Sequence, residues 1–389
     1  MPKDALNLPQ LKEQESSKTG RSLGSIAAKW TVQLAYRGLQ PSSRERFARA
    51  PEETRLERFY TQTDDGWTLP VYRLPVRSNG HGDPVILAHA LGLNHHSLQF
   101  EKDNSLAWAL QKAGFQVFFL AHRGDHGAIA PQRSKTWDFD DIADHDVPVT
   151  VEAILETTGR DKLHWIGHGL GGQLLYAYLA NTGGGHIATA TTICSATRFP
   201  PIKSRAKALA TAVKLLPKGL SLPTRRMSQL AAPALKSGSN WIDQMGTYQV
   251  DGAISRGLLL HGTENLGTGL LQQVLRWSEV GFLCDRTGTQ DLTAAMDGST
   301  IPLQLIATDG DHFCAPSAAF AIADFVDGPI EQIRLDASWG HSDPLLGPKA
   351  QERIFPRILR WHERHSNARL DNFVDVEEEC TVEKSVTLR

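Results

Sequence analysis

The sequence predicts a doubly wound α/β fold: a mostly parallel sheet with helices on both faces and a helical cap inserted late in the chain. Three observations carry this. Short apolar runs alternate with helix-like stretches at close spacing from Glu57 to Cys194, the rhythm of βαβ units. That rhythm stops between Phe199 and Ser299 and resumes at Ile301. A glycine-dense segment, Gly167-His168-Gly169-Leu170-Gly171-Gly172, joins a strand-like run directly to a helix-like one, as where a helix packs tightly on a sheet.

The elements follow in order. Residues 58–63 and 67–73 flank Asp64-Asp65-Gly66, a turn signal, and predict a β-hairpin. Residues 84–89 are a short apolar run, the mark of a buried parallel strand. Residues 97–113 read as a helix, 115–120 as a strand and 138–157 as a helix. The strand at 163–167 leads through the glycines into a helix at 170–180, and 187–194 form the next strand. Between 199 and 299 there are helical patches, at 206–216 and 270–280, and no strand rhythm. Strands return at 301–307 and 332–336, separated by a helix at 315–325, and a last helix spans 348–365. The predicted organisation is an N-terminal extension at 1–55, a core at 56–198 and 300–365, a helical cap at 199–299 and a polar tail at 366–389. Such an insertion is expected over the C-terminal ends of the strands, where open α/β sheets bind ligands. The extension holds one amphipathic stretch, 25–36, expected to be a helix docking on the main body.

Composition bounds the function. The chain has 389 residues and a net charge of −2, with 41% hydrophobic and 22% charged residues, an ordinary globular balance. This gives no global attraction to nucleic acid or anionic membrane. Cys194, Cys284, Cys314 and Cys380 are too scattered for a disulfide framework or a zinc pair. The first twenty residues lack the apolar stretch of a secretory signal. No run approaches the roughly 18 apolar residues that span a bilayer. The expectation is a soluble, cytoplasmic protein of a reducing compartment, without cofactor. His89, His122 and His126 fall near strand ends, but their spacing matches no metal signature, so no metal is expected.

The chemistry concentrates at Ile166–Gly172. A G-x-S-x-G nucleophile elbow sits on a strained strand-to-helix turn. Here the context is present, but the central position is Gly169, which has no side chain to attack with. Gly occupies such a backbone region without the strain that a side chain brings. Cys194, Ser195 and Cys314 lie close to predicted strand ends and read as packing or loop residues.

With its neighbours in order, this segment resembles the α/β-hydrolase superfamily, in particular acid-lipase/esterase-type and polyhydroxyalkanoate-synthase-like members. The likeness runs from about Arg58 to His365. Leu87-Ala88-His89-Ala90-Leu91-Gly92 is similar to the H-G-x-G oxyanion loop, with Ala90 in place of a glycine. His122-Arg123-Gly124-Asp125-His126-Gly127 is similar to the R-G-x-G loop. Trp137–Asp141 and Asp146-Val147-Pro148 are similar to a helix start common among these relatives. Asp309-Gly310-Asp311-His312 resembles the acid loop, and Trp339-Gly340-His341-Ser342-Asp343 the histidine loop.

The resemblance implies a carboxylic-ester hydrolase acting on an apolar acyl substrate. It implies Asp311 as the acid, with Asp309 a second candidate, His341 as the base, and the N–H groups of Leu91 and Leu170 as oxyanion donors. A carboxylate fixes the imidazole tautomer, and the imidazole takes the nucleophile's proton. With Gly169 at the nucleophile position, activity is expected to be absent or impaired. Two alternatives stand beside this: a binding or scaffold protein that keeps the pocket, and a non-hydrolytic enzyme in which His341 is a general base.

Overall fold

The computed structural model describes residues 56–77, 82–101, 104–132, 136–202, 204–232 and 249–366. The expected extension with its helix at 25–36, and the tail beyond Ser366, lie outside these residues.

The described chain begins with the predicted hairpin, β1 (Glu57–Gln62) and β2 (Thr68–Arg73), paired antiparallel around the turn at Asp64-Asp65-Gly66. Then come β3 (Pro84–Ala88), α1 (His96–Gln99), α2 (Leu106–Lys112) and β4 (Gln116–Phe119). The single helix expected at 97–113 is therefore two. Asn104-Ser105, better suited to caps than to helix interiors, separates them, and Ser105 is extended.

The next helix also departs from expectation. It starts as α3 (Phe139–Asp141), widens to a π turn over Ile142–Asp146, and continues as α4 (Val147–Thr158). Pro148 has no N–H to give to the carbonyl four residues back, so the α-helical ladder cannot pass through this point unbroken.

The chain continues through β5 (Leu163–His168), α5 (Leu170–Thr182) and β6 (Ile187–Ile193). Within 199–299 the described α-helices are α6 (Ser204–Lys214), α7 (Thr224–Ala231), α8 (Gly252–His261) and α9 (Thr268–Val280), with a 3-10 turn at Ala294–Met296. A two-residue ladder, β7 (Ser221–Leu222) against β8 (Leu266–Gly267), adds strand structure that the sequence did not predict. The sheet resumes with β9 (Leu303–Thr308), α10 (Pro316–Phe320) and β10 (Ile330–Leu335). The expected last helix is α12 (Ala350–Arg353) and α13 (Phe355–Arg364), preceded by α11 (Asp343–Leu346). Pro356 sits in the first turn of α13, where its missing N–H is tolerated, and marks the break.

One eight-stranded sheet has the order β1-β2-β4-β3-β5-β6-β9-β10, and only β2 runs against the rest. Side chains alternate across it. Ile86, Ala88 and Trp165 join one core with residues of α4 and α5. Val85, Leu87 and Ile166 join the other with residues of α2 and α13. Both faces of the central strands are thus covered, which is why their sequences are apolar without interruption. Among the described residues no helix is long and apolar enough to cross a membrane.

One buried cation ties the hairpin to the body. The Arg123 guanidinium donates to Asp146 Oδ1 from Nε and Nη2 at 2.9 and 2.7 Å, and to Asp65 at 2.6 and 3.0 Å. The Arg123 backbone N–H donates to Asp146 Oδ2 at 2.7 Å. Asp146 is fully buried, whereas the Asp65 side chain is 33% exposed. Removing one partner of a buried pair leaves the other uncompensated. Asp146→Ala is expected to destabilise the fold by about 3–5 kcal/mol and Asp65→Ala by about 1 kcal/mol, measured by urea unfolding. Equal losses would contradict the assignment of Asp146 as the principal counter-charge.

Candidate active site

The turn between β5 and α5 is built by what its residues lack. Gly169 has φ 51° and ψ −112°, a region that side-chain-bearing residues enter with strain. Its N–H donates to the Ile193 carbonyl of β6 at 2.9 Å. A Cβ at Gly171 would overlap the Ala88 carbonyl oxygen, so the first turn of α5 lies directly on the end of β3. A Cβ at position 169 would stand 3.2 Å from Ala90 Cβ and 3.5 Å from His341 Nε2.

Asp311 and His341 arrive from the ends of β9 and β10. His341 Nδ1 is 2.6 Å from Asp311 Oδ2. Asp311 Oδ1 accepts the N–H groups of Phe313 and Cys314 at 2.7 and 3.0 Å. Burial works to raise the Asp311 pKa, but these hydrogen bonds and the His341 charge bring it below the ordinary carboxylate value. Asp309, the alternative acid, instead meets Arg334 at 2.8 Å. The histidine loop is shaped by Asp343, which accepts from Gly340 N–H at 2.7 Å and Gln249 N–H at 3.2 Å.

The structure thus brings Gly169, Asp311 and His341 together. Leu170 is the first residue of α5, so its N–H is among those a helix leaves unpaired. Leu91 follows Ala90, the residue that faces the Gly169 turn.

The other candidate nucleophiles stay structural. Cys194 is the one non-glycine residue with positive φ among the described residues, at 50°. Burial and the Asp311 charge push its thiol well up, so it stays protonated. Ser195 Oγ donates back to the Ile193 carbonyl at 3.1 Å. Cys314 is buried and its thiol is likewise pushed up.

Sequence reasoning missed two supports of the site. One is Asp343, whose role depends on a loop conformation that no motif announces. The other is His168, visible as the second residue of the glycine segment. Its Nε2 is 3.1 Å from the His341 carbonyl oxygen, and the two ring centroids lie 4.5 Å apart with the planes tilted by 40°.

Among the described residues, three groups of side chains have ligand atoms close enough to hold a metal: Cys194, Asp311 and His341; His89, His122 and Asp125; and the more exposed Asp64, Asp65 and His145. A cavity of about 90 Å³ opens beside the second group, lined in part by Tyr72, His89, Asn94, Asp125 and Glu264.

The alpha/beta hydrolase fold family model matches residues 83–233. Gastric triacylglycerol lipase of Bos taurus is 35% identical over 122 residues, covering 28% of this chain and 31% of that protein. Human lipase member N is 34% identical over 128 residues, 30% of this chain and 32% of that protein. The chain therefore spans about a third of the length of the curated relatives it matches. Among solved structures, a soluble variant of monoglyceride lipase from Saccharomyces cerevisiae in complex with a substrate analogue superposes with a TM-score of 0.56. It is 14% identical and covers 82% of this chain and 97% of that one, a likeness of fold.

His168 carries a pH signature. Burial and the neighbouring His341 lower its pKa from 6.5 to about 3. Between these values the unfolded chain binds a proton that the folded chain does not, so stability falls as pH drops below the unfolded value. His168→Gln is expected to lessen that fall between about pH 6 and pH 4, by at most about 1.4 kcal/mol per pH unit. Urea unfolding across this range reads the slope, and an unchanged slope would mean that His168 titrates alike in both states.

Proposed function

We propose that this α/β-hydrolase chain, whose relatives are lipases and esterases, carries an acyl-ester site from which the attacking oxygen is missing. The observation that carries this reading is the 2.6 Å contact of Asp311 with His341 Nδ1. It leaves His341 Nε2 pointing at position 169, 3.5 Å from where a side chain would begin.

In this reading Asp311 holds the Nδ1–H tautomer and stabilises the imidazolium, and His341 Nε2 accepts a proton from the attacking group. The N–H groups of Leu170 and Leu91 receive the developing oxyanion, aided by the positive end of the α5 dipole. Core residues 56–198 and 300–365 hold these groups, and 199–299 serve as a cap that admits an apolar acyl chain. Support for the cap comes from hydrogen bonds that tie Asn94 N–H to the Gly262 carbonyl at 3.0 Å and Glu264 N–H to the Gly92 carbonyl at 2.8 Å. They join this segment to the loop after β3, at the C-terminal edge of the sheet.

Gly169 forbids an acyl-enzyme intermediate. Loss of such a serine costs about 10⁶ in turnover, or about 8 kcal/mol of transition-state stabilisation. Oxyanion donors and binding alone retain about 10³–10⁴ over water.

Restoring the oxygen tests the reading. Gly169→Ser is expected to raise esterase activity on short or medium acyl esters well above that of the parent, measured on a chain-length series of chromogenic esters. The backbone at φ 51° and the 3.2 Å approach to Ala90 should cost about 1–3 kcal/mol of stability. Gly169→Ser/His341→Ala should stay inactive, because serine without a base is a weak nucleophile. A folded Gly169→Ser protein no faster than the parent on any ester would favour the binding-protein alternative.

A further inference from the structure

We infer that the C-terminal ends of β3 and β4 form a divalent transition-metal site with His89, His122 and Asp125 as its protein ligands. The inference does not rest on the ester reading.

All three side chains are buried, at 4%, 6% and 8% exposure. Their polar atoms face one another with too few protons to go round. His89 Nδ1 lies 3.1 Å from the Ala90 carbonyl oxygen, which can only accept, so Nδ1 carries the proton. In the neutral ring, the lone pair of Nε2 then faces the carboxylate oxygen Asp125 Oδ2 at 3.0 Å. Two acceptors at that distance repel unless a proton or a cation stands between them.

A second proton on His89 settles that one edge and leaves the rest. Neither ring nitrogen of His122 has a hydrogen-bond partner among the described residues, and neither does Asp125 Oδ1. His122 Nε2 faces that same oxygen at 3.6 Å, beyond hydrogen-bond length. Buried polar atoms are normally satisfied, and a cluster of them left open calls for an ordered water or an ion.

A metal ion satisfies His89 Nε2, the Asp125 carboxylate and one nitrogen of His122, and leaves the second His122 nitrogen to an ordered water. Tetrahedral zinc, with bonds of about 2.0–2.2 Å to nitrogen and oxygen, sets its ligand atoms about 3.3–3.5 Å apart. His89 Nε2 lies 3.0 Å from one Asp125 oxygen and His122 Nε2 lies 3.6 Å from the other, on either side of that value, and one ligand atom from each of the three residues falls within 4.8 Å of the other two. The outer shell is in place for two of the three ligands. Ala90 fixes the His89 tautomer, and Asp125 Oδ2 accepts the His122 backbone N–H at 2.9 Å. The adjoining cavity reaches His89 and Asp125, giving an entry path and room for water as a fourth ligand. Two imidazoles and a carboxylate suit Zn²⁺ and Co²⁺ better than Mg²⁺ or Ca²⁺.

The test uses the full chain, stripped with a chelator, dialysed and titrated with Co²⁺ while visible absorption is followed. One equivalent should bind with the bands of four- or five-coordinate cobalt, Zn²⁺ should displace it, and Zn²⁺ should raise the Tm. His122→Ala should weaken binding by about 100-fold or more and abolish the Zn²⁺-dependent rise in Tm. His122→Asn replaces it should the alanine variant fail to fold. His145→Ala, at the exposed Asp64–Asp65 cluster, should leave binding unchanged. Absence of saturable Co²⁺ binding by the parent overturns the inference. So does binding that survives loss of His122, or that is lost with His145. None of these readouts requires ester turnover, so they are decided independently of Gly169→Ser.

Discussion

The site depends on one close approach, the backbone of α5 lying on the end of β3. A methyl group at Gly171 would occupy the space of the Ala88 carbonyl oxygen, and one at Gly172 would overlap Ser195 at the end of β6. Interiors pack too densely to absorb such overlaps without moving the backbone. With glycine at these positions, the helix starts within contact distance of three strand ends. The Gly169 turn is thereby pressed against Ala90. Displacing α5 by one methyl radius would separate position 169 from His341.

From that contact the electrostatics follow. The C-terminal edge of a parallel sheet collects loops that carry polar groups into a partly dry environment, where burial alone raises carboxylate pKa values. Three of the buried carboxylates meet specific partners, although for Asp146 burial still prevails and holds its pKa up at about 6. Asp311 has His341 and two backbone N–H groups. Asp146 has the Arg123 fork. Asp125 has His89 on one oxygen, while its other oxygen has no hydrogen-bond partner among the described residues. The first two are closed arrangements. The third is incomplete with protein atoms alone, which sets it apart from a structural ion pair.

Much of this was legible in the sequence because it is local. The turn signal at Asp64-Asp65-Gly66 and uninterrupted apolar runs marked the strands, and the glycine segment marked the turn. The spacing of the acid and histidine loops resembled a known order. What was not legible depends on partners distant in the chain. His89 and Asp125 meet only when β3 and β4 lie side by side. Asp146 looks like a helix-start residue until Arg123 folds onto it. Asp343 gives no sign that it will receive Gly340 and Gln249. Periodicity also overreached where proline or a capping residue interrupts a helix, at Asn104-Ser105, Pro148 and Pro356. Each was visible, but apolar spacing continued across it and masked the break.

The arrangement also bears on whether the site is chemical or merely retained. Asp311 would have structural worth without His341, because its Oδ1 closes the turn through Phe313 and Cys314. His341 is different. Its backbone carbonyl receives His168, and its Nδ1 is spent on Asp311. Nε2 makes no hydrogen bond among the described residues, and its near neighbour is the bare turn at Gly169. A ring held through one nitrogen, with the other aimed at a backbone position, adds little to stability that a simpler side chain would not. Its orientation is the one that proton transfer at position 169 requires. That asymmetry supports the proposed reading of the pair as catalytic apparatus.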